Sequence, residues 1–173
     1  MVLLFAACGA LPKTSERPSL GLRYRAENPE AWDGDSTQML RATLAGAPVV
    51  VDFTSTESRL VLTVDNPTKQ LLHVRIGAQS GSSRDAAIGE VRMQRRGGGR
   101  LEGATGYAPF LANSLVSVEP ECRAVFYVDA PLGREPSIGE YAVLHVQVGA
   151  PGAKPERRLL PIVVAPPTRS SMR

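Results

Sequence analysis

The sequence predicts an all-β protein, a two-layer antiparallel β-sandwich of about seven to eight strands. Three observations predict it. Short segments alternate apolar and polar residues with a period of two, most clearly in Leu60–Asp65 and Ala142–Val148. Turn-forming residues recur between these segments, with 16 Gly and 14 Pro dispersed through 173 residues. Neither a strand–helix–strand alternation nor an internal repeat is present.

Taken in order, the first regular element admits two readings. Met39, Leu40, Thr43 and Leu44 fall at helical spacing after a capping Asp35 or Ser36, and Gly46 sits where a helix would end. This predicts a short helix over residues 36–45; a strand through Met39–Leu44 is the rival. Val49–Phe53 is β-branched, follows Pro48 and predicts a strand. Leu60–Ile76 organises the middle of the chain. Leu60, Leu62 and Val64 alternate with Val61, Thr63 and Asp65, and beyond Asn66-Pro67-Thr68 Leu72, Val74 and Ile76 alternate with His73 and Arg75. The expectation is a hairpin with a wide turn, because Asn bonds its own backbone and Pro fixes φ.

Gln79–Ala87 predicts a polar loop, Gly89–Arg96 a strand, and Gly97–Gly99 a tight turn. Gly103–Asn113 is irregular, with Tyr107, Phe110 and Leu111 as apolar anchors. Leu115–Val118 and Cys122–Asp129 are strands flanking Glu119-Pro120-Glu121, again expected to form a hairpin. A long strand begins near Ile138 and runs to Val148, and Arg157–Ala165 is the last. The residues from Pro166 predict a disordered tail.

Strand–Asn-Pro-Thr–strand, the Pro turn at Glu119–Glu121 and Gly139-x-Tyr141 before an alternating strand resemble features of bacterial envelope domains of immunoglobulin or fibronectin-III type. That resemblance implies a tyrosine corner at Tyr141, in which the phenol bonds back to the main chain.

At the N-terminus, Val2–Ala7 is a short apolar run ending in small residues before Cys8. Phe5-Ala6-Ala7-Cys8-Gly9 resembles a bacterial lipobox, which implies diacylglycerol on the Cys8 thiol. A signal remnant without lipidation and an apolar N-terminal strand are the other readings of this run. The domain expectation is therefore a signal remnant at 1–7, a lipid-anchored tether at 8–31, the sandwich at 32–165 and a tail at 166–173. A Pro-, Ser- and charge-rich composition suits the tether. Trp32, the only tryptophan, marks its junction with the sandwich.

Chemistry is sparse in the sequence. The net charge of +3 does not require a nucleic-acid partner. Only His73 and His145 carry imidazoles, both at positions alternating with the apolar sets, and no His or Cys pair has metal-ligand spacing. Cys122 is the only thiol besides Cys8 and reads as a buried one. No nucleophile elbow or phosphate-cradling loop is present. The expectation is a non-enzyme, without cofactor or metal, held by Cys8 at the periplasmic face of a bacterial membrane, the outer membrane foremost. Its sandwich would bind or scaffold another envelope protein, as an accessory lipoprotein of a secretion, pilus or cell-wall assembly. The candidate contact residues are Arg84, Arg96, Arg100, Tyr107 and Phe110. The alternative is a proteinase inhibitor or regulator acting through a sandwich-end loop such as Gly103–Asn113.

Overall fold

A computed structural model describes residues 23–53, 59–80, 83–84, 89–97, 108–128 and 137–166. Its secondary structure is β throughout, in two antiparallel sheets facing each other. The elements are β1 (Arg23–Ala26), β2 (Asp33–Asp35), β3 (Met39–Leu44), β4 (Ala47–Asp52), β5 (Leu60–Asp65), β6 (Leu72–Ser80) and β7 (Ser83–Arg84). They continue with β8 (Gly89–Arg95), β9 (Ala108–Phe110), β10 (Val116–Val118), β11 (Cys122–Val128), β12 (Tyr141–Gly149) and β13 (Glu156–Ala165). The first sheet runs β1-β13-β12-β6-β10, with β7 added to β6; the second runs β2-β3-β4-β5-β11-β8-β9.

Alternation builds the core as expected. Leu60, Leu62 and Val64 of β5 and Phe126 of β11 face Val74 and Ile76 of β6, Leu144 and Val146 of β12, and Leu160 and Ile162 of β13; all are almost wholly buried. Their neighbours in the opposite register are mostly half-buried or exposed, Val125 and Gly77 being buried exceptions.

The two expected hairpins are a correction. β5 and β6 are not paired: β5 lies between β4 and β11 in the second sheet, and β6 between β12 and β10 in the first. Likewise β10 belongs to the first sheet and β11 to the second. Both connections are arches that carry the chain from one layer to the other, side by side. Asn66 ties them together. It is fully buried; its Nδ2 donates to the carbonyls of Gln70 (2.8 Å) and Val118 (2.9 Å), and its Oδ1 accepts from the Thr68 N–H (3.0 Å) and hydroxyl (2.7 Å). Its main chain bonds the second arch in both directions, its N–H donating to the Cys122 carbonyl at 2.8 Å and its carbonyl accepting from the Glu121 N–H at 3.0 Å. A buried polar side chain is tolerated here because each of its donors and acceptors is satisfied.

Three further expectations change. Residues 36–45 form no helix: β3 pairs with β2 on one side and β4 on the other, so Leu40 and Leu44 are buried by strand alternation. The helical spacing of these apolar residues is also compatible with a period of two, and tertiary pairing decided the matter. The tether cannot extend through residue 31, because β1 pairs with β13 from Arg23↔Ala165 to Ala26↔Ile162. Tyr24 and Ala26 are buried there, and Trp32 packs in the core with its indole N–H donating to the Leu159 carbonyl at 3.0 Å. Tyr141 is no tyrosine corner. It lies at an outward register, 48% exposed, and the corner role of a buried polar group falls to Asn66.

Candidate functional site

The outer face of the first sheet is the most distinctive surface. Pairing of β6 with β12 and of β12 with β13 places His73, Arg75, Val143, His145, Gln147, Arg157, Leu159 and Pro161 in one outward set. β1 adds Arg25, opposite Val163. The face therefore combines cations with exposed apolar groups: Tyr141 and Leu159 are both 48% exposed.

One end of this face is a groove of about 220 Å³ lined by His73, Arg75, Leu115, Gln147, Gly149 and Pro155. Two glycines shape its surroundings. A β-carbon on Gly149 would lie 2.8 Å from Pro155 Cα, so only glycine lets the β12–β13 turn fold back over the sheet. A β-carbon on Gly77 would lie 2.6 Å from Asn113 Oδ1. Asn113, at φ 60°, lays its side chain there, and its main-chain N–H donates to the Ile76 carbonyl at 2.7 Å. Its carbonyl receives the Arg75 guanidinium at 3.4 Å. Arg157 reaches His145, with Nη2 2.5 Å from Nδ1; a guanidinium can only donate, so Nδ1 accepts.

The second sheet's outer face is different in charge. Asp33, Asp35, Asp52, Asp65 and Glu90 share it with Arg41, Arg92 and Arg123. Opposite charges are interspersed, as in the two-pronged contact of Arg123 with Asp65 (2.6 and 3.1 Å). Arg59 lies 5.7 Å from the Tyr127 ring centre. A second groove, of about 370 Å³, lies at the Asn66 end between Arg95, Arg96, Glu119, Glu121 and Cys122. Arg96 faces the Glu121 carboxylate at 3.6 Å. Cys122 is buried and unbridged, and burial first, then the Glu119 carboxylate, pushes its thiol above the ordinary value. The raised value keeps it a thiol at neutral pH, the form that does not attack.

Among the described residues, Arg96 stands at one end of the sandwich, the Asn66 end of the second sheet, and the strand positions of Arg84 and Phe110 at the other. Arg84 belongs to β7, whose register pairs it with Gln79 at the opposite end of β6, and Phe110 closes β9 opposite Gly89. Cys8, Arg100 and Tyr107 lie outside the described residues, as do residues 103–107 of the loop Gly103–Asn113. His73 and His145 do share a face, on adjacent strands, but pair with Gly149 and Gly77, separated along the strands by four residues. Among the described residues no group of three or more His, Cys, Asp or Glu is placed to hold a metal ion, and no helix is long and apolar enough to cross a membrane.

Compared with protein-family models and with curated proteins, the sequence finds no match in either.

The basic face itself was missed in the sequence. Its signal was present, since Arg25, His73, Arg75, His145 and Arg157 all occupy polar positions of alternating strands. What alternation does not say is which strands share a sheet.

Proposed function

We propose that the protein is a non-catalytic binding module of the bacterial cell envelope, held at the membrane through lipid on Cys8, whose sandwich docks another envelope protein. One observation carries the binding reading. Leu115, Tyr141 and Leu159, exposed by 46%, 48% and 48%, all lie on the outer side of one sheet. Scattered exposed apolar residues are ordinary, whereas apolar residues grouped on one rigid face and rimmed by arginine suit a protein interface.

The full chain as bait in a cross-linked envelope extract tests this. A stoichiometric complex is expected with the wild type and not with Tyr141→Asp/Leu159→Asp, whose folding circular dichroism verifies. Recovery of nothing, or of the same complex with the variant, overturns the reading. The anchor has its own test: Cys8→Ala is expected to move the protein from the membrane fraction to the soluble periplasm, and retention in the membrane removes the lipid from the proposal.

A further inference from the structure

Resting on the binding function proposed above, we infer that the outer face of the first sheet takes an acidic polypeptide segment, with a carboxylate side chain entering the groove between His73, Arg75 and Gln147. The charge of the face argues for it. At the outward positions of β1, β6, β10, β12 and β13 every charged side chain among the described residues is basic: Arg25, Arg75 and Arg157, with His73 and His145 beside them. Glu156 opens β13 in the inward register, and Glu27, which follows β1 and donates its N–H to the Pro161 carbonyl at 2.9 Å, is the one carboxylate bordering the outward set among the described residues, at its β1 edge. The opposite face of the molecule carries mixed charge with acids in excess, so the modest net charge of +3 conceals a marked segregation.

The shape argues for a polypeptide rather than a bilayer. Pro155 stands over Gly149 at one side of the groove, and the Asn113 side chain lies over Gly77. The groove beside them holds His73, Arg75 and Gln147 in a concavity, which a segment of chain can enter and a flat headgroup surface cannot follow. The residue types agree. The charged groups are arginines, whose planar forks bind carboxylates two-pronged and are enriched at protein interfaces where lysine is depleted. Gln147 offers both a donor and an acceptor to a peptide. Arg75 is partly pre-positioned by its contact with the Asn113 carbonyl.

The test uses the full chain with fluorescent poly-L-glutamate as the probe, and vesicles of phosphatidylglycerol and phosphatidylethanolamine as the competing surface. Arg75→Glu/Arg157→Glu is expected to weaken poly-L-glutamate binding at least about tenfold. Arg41→Glu/Arg92→Glu, on the other sheet, makes the same change in net charge and is expected to weaken it less than about twofold. Equal loss in the two variants overturns the inference, because net charge alone then explains binding. So does wild-type binding to the vesicles in the absence of binding to poly-L-glutamate, which would make the face a membrane surface. The two proposals fail separately. An envelope partner captured equally by wild type and Arg75→Glu/Arg157→Glu removes this face from the interface and leaves the binding function standing.

Discussion

Asn66 holds more of this structure than any other polar residue described. Its amide bridges Gln70, Thr68 and Val118, and its main chain bonds Glu121 and Cys122, so one side chain and one peptide unit join both arches. Truncation to alanine strands the buried Val118 carbonyl and frees the Thr68 donors. Asn66→Ala is expected to lower stability by roughly 1–3 kcal/mol, read as a lower urea midpoint with an unchanged slope. Asn66→Asp should be no rescue, since a carboxylate keeps the Thr68 bonds but turns an oxygen towards the Val118 and Gln70 carbonyls. The sequence marked this residue as turn chemistry, correctly for the Thr68 bonds, which are local. The bond to Val118 spans 52 positions, and nothing in Asn-Pro-Thr announces it.

At the scale of the element, strands were readable and their pairing was not. Leu60–Asp65 and Leu72–Ser80 fall close to where alternation predicts them, yet a short loop between two strands is compatible with a hairpin and with an arch. Glu119-Pro120-Glu121 repeats the ambiguity. Glu121 adopts φ 57°, a left-handed conformation in which glycine carries no β-carbon penalty, and the Cys122 N–H closes the turn on the Glu119 carbonyl at 3.2 Å. Glu121→Gly is expected to stabilise the protein by about 0.5–1 kcal/mol: relief of the left-handed strain exceeds the added entropy of the unfolded chain. The exposed contact with Arg96, at 3.6 Å, contributes little to offset this. A thermal unfolding midpoint raised by a few degrees would show it; a lowered one would mean the turn tolerates Glu121 without strain.

Across the whole molecule, β1 closes the sandwich at the margin of the first sheet, and Tyr24 reports on that closure. Burial foremost, with the Glu140 carboxylate adding to it, pushes the Tyr24 phenol from 10.0 up to about 12. The neutral phenol is therefore favoured by folding. Its contribution is fully present below about pH 10 and is lost as pH rises towards 12, on the order of 2 kcal/mol in all. Urea titrations at pH 9 and pH 11.5 should show this loss in the wild type and a smaller one in Tyr24→Phe. Equal losses in the two proteins would place the alkaline sensitivity elsewhere. At this scale the charge segregation also becomes visible: two faces of nearly the same alternating composition differ because one collects Arg25, Arg75 and Arg157 and the other Asp33, Asp35 and Asp52.

The sequence by itself determined the class of this protein, most of its strands and the inward set of each. Those are local properties, set by a period of two and by residues that stop strands. Only the tertiary structure decided between helix and strand at Met39–Leu44, brought Arg23–Ala26 into the sheet, and made arches of the two apparent hairpins. It also decided which polar faces add together, and with them the basic face and its groove. Each of these depends on contacts between residues far apart in the chain, where the free energy of pairing and burial outweighs local preference.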